Sequence, residues 1–85
     1  MKIKIYESNT NQPYTNKQVQ IQVKGKDAGF YTYITDQYGE FYFDDKFNGQ
    51  QVALLNGILP GQWLAAKDGL TLFLSKQAEK EEFYK

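Results

Sequence analysis

The sequence predicts a small all-β domain, a single antiparallel β-sandwich of about seven strands. Two observations carry that prediction. Apolar and polar residues alternate with period two along most of the chain, and Gly, Pro, Asn and Asp collect at the corners between the alternating runs. A third bounds it. Eighty-five residues that are 41% hydrophobic and 16% aromatic can build one core and no second one.

The elements follow in order. In Lys2-Ile3-Lys4-Ile5-Tyr6, Ile3 and Ile5 share one face and Lys2, Lys4 and Tyr6 the other. A polar loop, Asn9 to Pro13, ends in a proline poorly suited to a central strand. Val19, Ile21 and Val23 then alternate with Gln18, Gln20, Gln22 and Lys24, the pattern of a half-buried strand. Phe30 to Ile34 and Glu40 to Phe43 supply aromatic and β-branched residues, and the turn Thr35-Asp36-Gln37-Tyr38-Gly39 between them predicts a β-hairpin. Asp36 is placed to accept from the backbone ahead of it, and Gly39 to take a positive φ. This assignment sends Phe30, Thr32, Ile34, Phe41 and Phe43 to the core and leaves Tyr31, Tyr33 and Tyr42 together outside.

Three further strands are predicted: 51–55, 62–66 and 70–75, with Asp68-Gly69 as a second hairpin turn. Between the first two, Leu54 to Leu64 is expected to fold over an open end of the sandwich with Trp63 filling the core. The sandwich thus covers residues 1–75. Residues 76–85 are rich in helix formers, with Ser75 as a candidate cap, and predict a short, partly ordered helical tail.

Composition excludes several function classes. Ten basic residues, all lysine, balance ten acidic ones, and the lysines scatter rather than form the basic face that nucleic acid requires. No apolar run approaches a membrane span, and no secretory signal is visible, so the chain as written reads as cytoplasmic. A domain taken from a longer exported protein would read the same way. There is no His and no Cys, which removes the commonest proton shuttle, thiol nucleophile and zinc ligands. Asp44-Asp45, or Asp36 with Glu40, remain as a minor acid–base alternative. Asp36, Asp44, Asp45, Asn48 and Asp68 match no calcium-loop spacing, and neither a metal nor a cofactor is expected.

The polar loop ending in Pro13, then Val19-Gln20-Ile21, then the corner Thr35-Asp36-Gln37-Tyr38-Gly39-Glu40-Phe41 with Asn48-Gly49 beyond it, resembles the carboxypeptidase regulatory-domain and transthyretin-like sandwiches. The resemblance covers roughly residues 1 to 75 and implies a transthyretin-like or immunoglobulin-like strand arrangement. Gln12 stands where that family usually has a glycine before the proline. The transthyretin-related hydrolases use His and Arg, and this chain has neither, so their activity does not carry over.

What remains is a surface. Three tyrosines on one sheet face, Tyr31, Tyr33 and Tyr42, would form an aromatic patch suited to a protein partner or to self-association. The same rings, aided by Gln20, Gln22 or Asp44, would suit carbohydrate as the alternative. The plain structural reading is that they only pair across strands. Ile58 and Leu59 exceed what one core face needs and form a second candidate, with Phe83-Tyr84 in the tail as a third. The function expected is a non-enzymatic interaction or assembly module using an aromatic sheet face or an edge strand.

Overall fold

Alternation sets the two inner faces of the domain. In the computed structural model, which describes residues 1–74, nine strands form two sheets that pack face to face. The first sheet holds β1 (Lys2–Glu7), β2 (Gln12–Pro13), β5 (Glu40–Tyr42) and β9 (Leu70–Leu74). The second holds β3 (Gln18–Lys24), β4 (Gly29–Ile34), β6 (Gln51–Asn56), β7 (Leu59–Pro60) and β8 (Leu64–Ala65). The two strands beyond the expected seven are β2 and β7, of two residues each and too short to leave a period-two signal.

Strand β1 is the centre of the first sheet. It pairs antiparallel with β5 and β2 on one side and parallel with β9 on the other, so the sandwich is mixed rather than wholly antiparallel. In the second sheet the order is β4-β3-β6-β7, with β8 also on β6. Ile3, Ile5, Val19, Ile21, Val23 and Leu72 point between the sheets as the alternation predicts. The aromatic half of the core is Phe41, Phe43 and Phe47, with Phe43 stacked on Phe47 at 4.5 Å between ring centroids. Phe47 enters from a 3-10 turn, Asp45–Phe47, capped by the Asp44 carboxylate.

Two predicted hairpins are instead crossings between sheets. Strand β4 pairs with β3 and β5 with β1, so the 35–39 turn carries the chain from one sheet to the other. The local chemistry expected there is present. Asp36 Oδ1 accepts from the Tyr38 and Glu40 amides at 2.8 and 3.0 Å, and Gly39 has φ +78. The sharper reason for Gly39 is tertiary: a Cβ there would lie 2.9 Å from the Ile5 carbonyl oxygen, whose own amide donates to Gly39 O at 2.8 Å. A turn that docks on β1 cannot also close a flat hairpin. Asp68-Gly69 likewise links β8 in the second sheet to β9 in the first.

Two side-chain assignments are also corrected. Trp63 does not fill the core; it is half-buried, with its ring 4.3 Å from the Lys24 ammonium on the outer side of β3. In β4 the faces are reversed: Phe30, Thr32 and Ile34 are exposed, and Tyr31 and Tyr33 pack inward. Every residue from Phe30 to Ile34 suits a strand interior, so the segment carries no phase of its own. Its neighbour supplies the phase. The outward residues Gln18, Gln20 and Gln22 pair with Ile34, Thr32 and Phe30, and the inward Val19 and Ile21 with Tyr33 and Tyr31. The helical tail predicted for residues 76–85 lies outside the described residues.

Candidate interaction surface

The three tyrosines predicted to share one patch are not brought together. Tyr31 meets Phe47 edge-on at 4.8 Å, and its hydroxyl donates to the Asp27 carbonyl at 2.8 Å. Tyr33 stacks on Phe41 at 4.5 Å and meets Phe43 edge-on at 5.4 Å. Burial, with Asp44 nearby, holds the Tyr33 hydroxyl above the usual tyrosine range. A tyrosine suits such a site because its ring fills the core edge while its hydroxyl reaches the rim. Tyr42 alone lies outside, on the far face of the other sheet and 74% exposed.

Around Tyr42 the outer face of the first sheet forms a row that alternates rings and charges. Lys2 pairs with Tyr42 across the β1–β5 ladder, Lys4 with Glu40, and Tyr6 with Phe73 across β1–β9. The Lys2 ammonium lies 5.8 Å from the Tyr42 ring centroid and that of Lys4 5.3 Å from Tyr6. Both lysines approach Glu40, at 3.5 and 3.9 Å. Glu40, and then Tyr42, raise the Lys2 ammonium above its usual range. Tyr6 and Phe73 close the row at 6.1 Å. These are exposed contacts of small energy, and the surface they form is aromatic but already internally paired.

Ile58 and Leu59, surplus to one core face, are both exposed. They sit at the tip of the β6–β7 hairpin, where Asn56 pairs with Leu59 and Leu55 with Pro60. Ile58 is 91% exposed and Leu59 65%. Gly57, at φ +70, makes the tight reversal that throws Ile58 outward. Beside the tip a groove of about 200 Å³ runs between the two sheets, lined chiefly by Leu54, Leu59, Pro60, Phe73 and Leu74. The spacing of Leu70, Leu72 and Leu74 already sends Phe73 to the outer face, but its part in an aromatic row shows only once β9 is paired with β1 and Phe73 meets Tyr6.

The opposite edge of the second sheet carries a third apolar group, Phe30 and Ile34 on β4, 62% and 70% exposed. Their signal was present in the glutamines of β3, once the two strands are known to pair. For metal chemistry the arrangement offers little: no group of three or more acidic, His or Cys side chains converges among the described residues. No helix among them is long and apolar enough to cross a membrane. The two-sheet arrangement is consistent with the transthyretin-like resemblance of the sequence. Comparison with protein-family models, with curated proteins and with solved structures finds no match.

Proposed function

We propose that this domain is a non-enzymatic protein-interaction module whose working surface is the β6–β7 hairpin tip and the groove beside it. One observation carries the reading: Ile58 stands almost fully in solvent, and the exposed Leu59 beside it forms part of the wall of an apolar groove. Exposed apolar side chains scattered singly need no explanation, but a tip and groove that form one continuous apolar surface mark a place where another protein docks. Partners suited to it present an apolar side chain to the groove and cover Ile58 with their own surface. Tyr42, on the outer face of the first sheet, is a secondary contact. The carbohydrate reading has less to rest on, since a sugar platform of three tyrosines requires rings that here face the core.

The test uses Ile58→Ser/Leu59→Ser beside Tyr42→Ser. Partners captured by the wild-type domain from cell lysate are purified and their affinities measured for each variant. The hairpin variant is expected to bind roughly a hundredfold more weakly, as loss of two central apolar anchors does. Its stability should change by less than about 0.5 kcal/mol, because neither residue is buried. Equal affinity of the hairpin variant and the wild type would remove this surface from the function.

A further inference from the structure

We infer that β4 is a self-pairing edge, through which two copies of the chain join antiparallel about a two-fold axis at Thr32 to extend the second sheet across both molecules. The inference does not rest on the hairpin-tip reading, because it uses the opposite edge of the sheet.

The edge is open and its phase is defined. Among the described residues, β4 pairs only with β3. The Thr35 amide donates to the Lys17 carbonyl at 2.9 Å, so Lys17 and Thr35 face each other as a hydrogen-bonded pair. In an antiparallel ladder such pairs recur at every second residue. Tyr33, Tyr31 and Gly29 therefore spend their backbone groups on β3, and Phe30, Thr32 and Ile34 direct their N–H and C=O groups outward.

The edge is also unguarded. Gly29 to Ile34 contains no charge and no proline, the usual devices against edge pairing. The other edges are treated differently. Strand β5 has three residues, begins with Glu40 and is followed by Asp44 and Asp45; β7 contains Pro60; β9 borders the groove beneath the hairpin.

What selects a second copy as the occupant is the sequence of the strand itself. Phe30-Tyr31-Thr32-Tyr33-Ile34 reads nearly the same in both directions. A two-fold at Thr32 sets Thr32 against Thr32, Tyr31 against Tyr33, and Phe30 against Ile34. These are the Thr–Thr, aromatic–aromatic and aromatic–β-branched pairs that stabilise antiparallel ladders. The same axis matches the backbone phase, since Phe30, Thr32 and Ile34 are symmetric about it and each pair exchanges both of its hydrogen bonds. An isologous contact of this kind closes on itself and stops at two copies.

The test is sedimentation velocity on the full chain from micromolar to millimolar concentration, for wild type, Thr32→Pro and Thr32→Lys. Proline at position 32 removes the two central intermolecular donors and leaves the β3 ladder intact, because that N–H points away from β3. Wild type should pass from one copy to two, and both variants should associate at least roughly tenfold more weakly. Circular dichroism confirms that each variant is folded. Spin labels on Thr32→Cys and, separately, Gln20→Cys then fix the geometry in a chain with no native cysteine. The two-fold predicts about 5 Å between backbones at position 32 and about 15 Å at position 20, from the strand spacing. A monomer throughout, association unchanged by Thr32→Pro, or dimerisation abolished only by Ile58→Ser/Leu59→Ser would each overturn the inference. So would a monomer that takes up a strand-forming peptide at β4 without pairing with itself.

Discussion

The two edges of the second sheet contain equally apolar residues but are finished in opposite ways. At the β6 edge the chain turns back on itself. Strands β7 and β8 cap β6 with two residues each, Pro60 blunts what is left, and the surplus apolar groups project as side chains at Ile58 and Leu59. At the β4 edge nothing among the described residues folds back, and the strand presents its own backbone between Phe30 and Ile34. One edge offers side chains to a pocket-like partner, and the other offers a ladder to another strand. Apolar content alone therefore does not say how a surface associates; the disposition of the backbone decides it.

The support beneath the edges differs as well, and the largest expected effect tests this. Strand β4 rests on an aromatic layer in which Phe47 holds Tyr31 at 4.8 Å and Phe43 at 4.5 Å. Phe47→Ala should cost about 3–5 kcal/mol, the range for emptying a buried phenylalanine site. That is a large part of the total for a domain of this size. Urea unfolding measures it. Native-state hydrogen exchange should show the amides of β3 and β4 losing protection ahead of those at the β6–β7 hairpin. A loss below about 1 kcal/mol would mean that the β4 edge stands without this support.

A smaller effect is expected where β4 ends. Thr35 is buried, accepts from the Lys17 amide at 3.0 Å and donates back to the Lys17 carbonyl at 3.2 Å. Thr35→Val keeps the volume but strands the Lys17 N–H, at a cost of about 1–3 kcal/mol. Thermal unfolding checks this. An unchanged midpoint would show that water replaces the hydroxyl and that the end of β4 is less fixed than its hydrogen bonds suggest. The hairpin edge is closed backbone to backbone, from the Gly61 amide to Leu54 O at 2.8 Å.

Those same residues show how much could be read in the sequence. The inner faces of β1, β3 and β9 were legible because Ile3, Ile5, Val19, Ile21, Val23, Leu70 and Leu72 alternate with polar residues or sit at regular spacing. The Asp36 and Gly39 turn chemistry was legible too, since it is local. Pairing was not. A turn between two strand-like segments reads as a hairpin whether the chain stays in one sheet or crosses to the other, and only the contact of Gly39 with Ile5 distinguishes the two. With β4 and β5 taken as one hairpin, the featureless apolar pattern of β4 offers no correction, and the tyrosine patch follows from that pairing. Ile58 and Leu59 stand out as surplus to one core face because an excess of apolar residues beside Asn-Gly needs no knowledge of pairing, and both are exposed.

The smallest effect separates the two edges by acid. Asp36 lies in the crossing turn that follows β4, and its carboxylate accepts from the Glu40 and Tyr38 amides; those two bonds, Glu40's first, hold its pKa below the ordinary aspartate range. A group depressed in the folded state stabilises it at pH above the unfolded-state pKa. That contribution is lost as pH falls through the lower, folded-state value. Residues 51–66, which form the other edge, contain no Asp or Glu and supply no such term of their own. Acid should therefore loosen the turn and the end of β4 before it touches the hairpin. Asp36→Asn keeps the Oδ1 that accepts from both amides but removes the charge, so the fall of the unfolding midpoint below about pH 4 should become shallower, with little change at neutral pH. Midpoints measured by circular dichroism across the acid range, with amide exchange at Tyr38 and Glu40, decide it. An acid limb as steep in the variant as in the wild type would assign the pH dependence to other carboxylates and leave the two edges alike in their response to protons.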